Sequence, residues 1–293
     1  MRDKDGQMAV LRWWNGASAC YDLTNPAALA SFVGTLRAAQ DKYGIDGYKF
    51  DAGDNNCYAS TALASSASTV DHTESYARLG LSFPVNEFRA CWKMGNQPLV
   101  QRLGDKNYSW DAVQSLIPQM CVAGLLGYTF ACPDMIGGGQ WTSFLNVASD
   151  EFDQELIVRS AQIHALMPMM QFSVAPWRVL SADNLAIVLN AANLHVRFAP
   201  YIMQLAHQNT KTGEPIVRSM EYQFPHQGFE KCRDQFMLGD RYLVAPMTHS
   251  GVERSVVLPR GTWRDELGKK YRGGKTYTIS VPLSRLPYFE KIK

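Results

Sequence analysis

The chain has 293 residues, 46% of them hydrophobic, and a formal net charge of +2. That supports a large buried core, excludes disorder, and allows either one big domain or two smaller ones. With no clustered Lys/Arg tract, charge gives no argument for a nucleic acid partner or a membrane surface.

The chain begins with MRDKDGQMAVLRWWNG, which has neither the apolar stretch of a signal peptide nor transit-peptide character. The first predicted element is a helix in NPAALASFVGTLRAAQDKYG. Asn25 is its N-cap and Pro26 its first position, Leu29, Phe32, Val33 and Leu36 form its apolar face, and Gly44 is its stop. A short strand, IDGYKF, then ends on Asp51. Strands follow in VNEFRACW and LVQRLGD, a helix over Ser109 to Gly124, and a strand in LGYTFACPDM. The charge-free run from Ala112 to Pro133 is long enough to span a bilayer, but Gln114, Pro118, Gln119 and Gly127 interrupt it, so it reads as a buried helix and strand. Next come the helix FDQELIVRSAQIHALMP, a strand MMQFSV, and a long helix capped by Ser181 with a possible kink site at Pro200. After Gly213, short strands separated by Gly, Pro and Asp predict a second, all-β unit.

This alternation predicts an α/β fold with a parallel sheet, and its polar residues fall at the carboxyl ends of strands, where barrel enzymes build their sites. Asp51, Arg89, Asp105 and Asp134 each stand at such an end. Two carboxylates at one mouth suit glycoside hydrolysis, one as nucleophile and the other giving and taking a proton. The two-residue period places Lys49 on the face of Asp51, where an ammonium would hold the carboxylate ionised. Gly104 before Asp105 allows a substrate to approach closely. Against this stands the frequency of Asp in turns after strands.

The segments GYKFDAGD, RLGDKNYSWD, TGEPIVRSMEYQFP and DQFMLGDRYLVAPM resemble the signature segments of glycoside hydrolase family 31, the retaining α-glycosidases. LRWWNG, YKFDAG, SLIP, PDMIGG and MPMMQFSVAPWR look most like its myogenesis-regulating branch, which is tied to α-galactosidase activity. The resemblance implies a partial (β/α)8 TIM barrel, about strands 4 to 8, over residues 1–213, and a C-terminal β-sandwich over 214–293. It implies Asp51 as nucleophile and Asp105 as general acid/base. Arg89 matches the substrate-gripping arginine, and Trp14, Asp134 and Trp177 match positions lining the subsite for the terminal sugar. Lys49 joins this substrate-binding set, and no metal is expected. The branch usually carries Glu where this chain has Asp54.

Arg89 also has a plainer reading, as an ion-pair partner of Glu87 or Asp54. The acceptor triplet Asn107-Tyr108-Ser109 is expected to be walled into the pocket rather than glycosylated. The cysteines, Cys20, Cys57, Cys91, Cys121, Cys132 and Cys232, contain no CxxC pair and read as free thiols. His72, His164, His195, His207, His226 and His249 show no HExxH-like spacing, so no cofactor is expected.

Family members carry further N-terminal barrel strands and a β-sandwich, and proteins of the myogenesis-regulating branch also carry a membrane anchor and sit in the secretory pathway. The expectation is therefore either the C-terminal part of a retaining α-glycosidase with a carbohydrate substrate, or a truncated, inactive sugar- or protein-binding remnant. Neither nucleic acid nor a membrane segment is expected, and a homo-oligomer is left open.

Overall fold

A computed structural model describes the chain except residues 15, 59–60, 64–65, 146 and 149–150. Residues Met1–Arg102 and Leu103–Lys293 form two compact units. The fold is a partial TIM barrel with a parallel sheet, followed by an antiparallel β-sandwich.

The first unit opens with an antiparallel hairpin, β1 (Val10–Trp13) and β2 (Gly16–Ala19), paired from Val10↔Ala19 to Trp13↔Gly16. Helix α1 (Pro26–Tyr43) follows. The Asn25 side chain accepts from the amides of Ala27 and Ala28, and Gly44 closes the helix at φ 64°, both as the sequence predicts. Leu29, Phe32, Val33 and Leu36 share its half-buried face. Strand β3 (Gly47–Phe50) leads on to α2 (Thr69–Leu79), then β4 (Val85–Phe88) and β5 (Val100–Arg102). These strands are parallel, with Lys49↔Glu87↔Val100 and Phe50↔Phe88↔Gln101 in register. Gly47 faces Val85 so closely that a Cβ there would lie 1.8 Å from the Val85 carbonyl oxygen. On the face opposite Asp51, Phe50 and Phe88 stack at 4.6 Å.

The second unit begins beyond β5. Ser109 caps α3 (Trp110–Leu125), which is followed by β6 (Phe130–Cys132), α4 (Gln154–Ala165), α5 (Pro176–Val179) and α6 (Ala182–Thr212). Residues 156–165 of α4 are all buried, so this helix runs through the core instead of lying on it. Among the described residues no helix is long and apolar enough to cross a membrane.

One expectation changes here. MMQFSV forms no strand; only Phe172 bridges in parallel to Ile136. Helix α6 is continuous across Pro200. It ends at Gly213, which takes φ 73°.

The sandwich follows with β7 (Val217–Ser219), α7 (Met220–Gln223), β8 (Phe236–Leu238), β9 (Tyr242–Val244), β10 (Glu253–Leu258), β11 (Thr262–Asp265), β12 (Lys270–Arg272), β13 (Lys275–Ser280) and β14 (Tyr288–Lys291). One antiparallel sheet has the order β12-β11-β14-β9-β8-β7, and β10 pairs separately with β13. Strand β10 alternates exposed and buried residues, and the core beneath it centres on the fully buried Trp263.

Candidate active site

In the first unit the parallel register assembles a charged layer. Lys49, Glu87 and Val100 are level with one another, and one pleat further on the same face come Asp51, Arg89 and Arg102. Asp51 Oδ1 lies 3.6 Å from Arg89 Nη1 and 3.4 Å from Arg102 Nη2. Arg102 is 2% exposed, and its Nε is 3.4 Å from Glu87 Oε1. The Asp51 carboxylate, 45% exposed, is thus presented to solvent from a base of two guanidiniums. Behind it, the Tyr76 hydroxyl donates to the Asp51 carbonyl at 2.8 Å. Burial first, and then the Asp51 charge, push that phenol up.

Lys49 differs from expectation: its ammonium pairs with Glu87 at 3.6 Å, not with Asp51. Long side chains on one strand diverge toward the nearest opposite charge, and that charge is on the neighbouring strand. Arg89 serves several partners at once. Its Nη2 donates to Asp54 Oδ2 at 2.5 Å, and its guanidinium lies over the Trp14 ring, 4.7 Å from the centroid. The pairing with Asp54 anticipated as the plainer reading therefore forms alongside the contact with Asp51. Trp14 is 44% exposed and packs edge-on against Trp13. The Asn15 of the same motif lies outside the described residues.

In the second unit, Asp105 and Asp134 come together at Gly139. A Cβ on that glycine would lie 2.9 Å from Asp105 Oδ1 and 2.6 Å from Asp134 Oδ1. Asp134, matched by resemblance to a sugar subsite, is fully buried. Its Oδ2 accepts from the amides of Lys106 at 2.7 Å and Gly139 at 2.9 Å. Burial pushes its carboxyl up, against the opposing pull of the Met135, Lys106 and Gly139 amides and the Lys106 charge. Asn107, expected in a pocket wall, lines a small cavity with Ser109 and Asp134 while itself exposed to solvent.

Trp177 is 70% exposed on α5. It borders an apolar cleft of about 490 Å³ with Phe172, Val174, Leu185, Val188 and Leu189, and neither Asp105 nor Asp134 lines that cleft.

Sequence reasoning missed Arg102, took Glu87 only as a partner for Arg89, and missed Tyr76. The pairing of the first two becomes visible only once the strands are in register. Tyr76 lies on α2, a helix the sequence reading passed over.

Two family models match the chain: the glycosyl hydrolases family 31 TIM-barrel domain over residues 1–205, and the glycosyl hydrolase family 31 C-terminal domain over residues 213–292. The chain is 35% identical to the myogenesis-regulating glycosidase of Mus musculus, over 99% of this chain and 42% of that protein. It is 28% identical to the SITS-binding protein of Tetronarce californica, over 92% of this chain and 39% of that one. In structure it superposes on the cycloalternan-degrading enzyme from Trueperella pyogenes with a TM-score of 0.86 at 22% identity, over 100% of this chain and 45% of that one, a likeness of fold. The chain spans about two-fifths of the length of the curated relatives it matches.

Proposed function

The chain belongs to glycosyl hydrolase family 31, and from that membership we propose that it carries the two catalytic carboxylates of a retaining α-glycosidase acting on a terminal sugar, an α-galactoside first among the candidates. Asp51 attacks the anomeric carbon while Asp105 protonates the departing glycosidic oxygen. Asp105 then takes a proton from water as that water displaces Asp51 from the glycosyl ester. Such a sequence calls for carboxyls about 5 to 5.5 Å apart. Arg89 offers planar donors to sugar hydroxyls, Lys49 is a further donor, Trp14 gives a flat apolar face to the ring, and Trp177 adds a second exposed indole.

One observation carries this reading: Asp51 stands at the carboxyl end of a parallel strand, solvent-facing, with Arg89 and Arg102 on its oxygen and Trp14 beneath the same Arg89. Two cations that compensate and orient a carboxylate without covering it suit an attacking group.

The test is hydrolysis of aryl α-galactosides, α-glucosides and α-xylosides by the chain, followed by mass spectrometry after incubation with a 2-deoxy-2-fluoro glycosyl fluoride. Turnover, and a covalent adduct on the peptide carrying Asp51 that Asp51→Asn abolishes, are expected. An adduct elsewhere, or full activity of Asp51→Asn, overturns the assignment. Sugar binding without turnover favours a non-catalytic role.

A further inference from the structure

Asp134 is held in a backbone conformation that side chains rarely adopt, with φ 135°, while its carboxylate is sealed from solvent. A conformation that costs energy persists only where the surroundings enforce it, and here they do so with hydrogen bonds. The Asp134 carbonyl accepts from Cys132 Sγ at 3.2 Å and lies 3.2 Å from His164 Nε2. Its carboxylate accepts from the Lys106 and Gly139 amides. The strap continues on both sides. Lys106 Nζ donates to the carbonyls of Gly104 at 3.1 Å and Pro133 at 2.9 Å, and the Gln140 amide donates to the Lys106 carbonyl at 3.0 Å. Asp105 sits beside this lattice, with Lys106 tied to the segment after β6 and Gly104 tied to the Lys106 ammonium. Gly139 leaves the space in which the Asp105 and Asp134 oxygens approach the same point.

A side chain turned wholly inward does not reach a sugar. What it reaches is the peptide amide next to Asp105. We propose that Asp134 is a positioning residue for Asp105, aiming the general acid/base by clamping the Lys106 amide to the Gly139 turn, with Gly139 as the spacer that lets the two carboxylates lie side by side. This rests on the role of Asp105 proposed above.

Asp134→Gly is the informative variant, because glycine favours the observed φ and the substitution removes the clamp alone. Two readouts are expected. Amide hydrogen exchange at Lys106 and Gly139, followed by NMR, speeds up about tenfold or more, while protection across α3 and α4 persists. In kinetics, kcat on an alkyl α-glycoside falls by about 10²-fold with KM little changed, kcat on a dinitrophenyl α-glycoside falls only a few-fold, and Asp134→Asn, which keeps an acceptor oxygen, recovers most of the loss. Equal losses on both leaving groups, a change confined to KM, or unaltered exchange at Lys106 and Gly139 overturns the proposal. If the unaltered chain turns over no glycoside, the acid/base reading fails on its own, and the exchange readout alone decides whether the clamp exists.

Discussion

At the scale of single residues, the layer formed by Asp51, Arg89 and Arg102 sets the first prediction. Arg102 is almost fully buried and divides its donors between Asp51 and Glu87, so it fixes the carboxylate's direction from below, where no substrate reaches. Arg102→Met takes one guanidinium away from Asp51 and from Glu87. Turnover is expected to fall by about 10²-fold, because a reacting group displaced by about an ångström loses that much. Arg89→Lys is expected to raise KM as well, since it removes both the planar fork and the contact with Trp14. Steady-state kinetics on one aryl glycoside separate the two, and a pure KM effect in Arg102→Met counts against the positioning role. What the sequence shows of Asp51, Arg89 and Asp105 is their place after short strands, and the structure puts them after β3, β4 and β5. Arg102 was not legible, because its partner depends on which residues of three separate strands lie level. No local pattern encodes that register. Asp134 was legible as a strand-end carboxylate, but its inward direction follows from a backbone angle that residue type does not announce.

At the scale of elements, capping chemistry was the readable part. Asn25, Pro26 and Gly44 bounded α1 from sequence, and Ser109 and Ser181 stand at the predicted starts of α3 and α6. Helix α2 went unnoticed although Ser68 and Asp71 form a reciprocal capping box, with Asp71 accepting from the Ser68 amide at 2.8 Å and Ser68 from the Asp71 amide at 3.2 Å. The segment MMQFSV looked like a strand because short apolar runs fit several kinds of buried structure; its backbone makes one bridge and then turns into α5. Helix α4 shows how an element can be anchored by one side chain. Arg159 is fully buried and donates to the carbonyls of Gly251, Val281, Pro282 and Arg285, at 3.1, 2.8, 3.4 and 3.2 Å. Lysine lacks the fork to reach them together, and methionine leaves all four without this donor. Arg159→Met is expected to destabilise the chain by about 3 kcal/mol or more. A shift in urea midpoint worth less than about 1 kcal/mol contradicts this anchoring role.

At the scale of the whole molecule, the alternating pattern made the partial barrel and the following sandwich readable, because the change from helical to two-residue periodicity marks the passage between them. Stability against acid was not readable, since it depends on a histidine's surroundings. His164 on α4 is completely buried, with Nδ1 2.7 Å from the Ser160 carbonyl and Nε2 3.2 Å from the Asp134 carbonyl. Burial dominates over these two acceptors, with the Lys106 and His195 charges adding to it, and holds the imidazole down at about 4. The unfolded chain takes up this proton near the ordinary value of about 6.5. Between those values the unfolded state binds more protons than the folded one, so the stabilisation is complete above pH 6.5 and is lost as pH falls toward 4. The loss amounts to about 3 kcal/mol over the window. His72, also held below its usual range by burial, acts in the same direction, whereas the raised carboxyl of Asp134 opposes it by binding its proton more readily when folded. Comparing the unaltered chain with His164→Gln cancels both background contributions. Urea midpoints at pH 7.5, 6 and 5 are expected to fall more steeply for the unaltered chain than for the variant, with the gap opening only below about pH 6.5. Parallel pH profiles would place the acid sensitivity in other groups and remove His164 from the account.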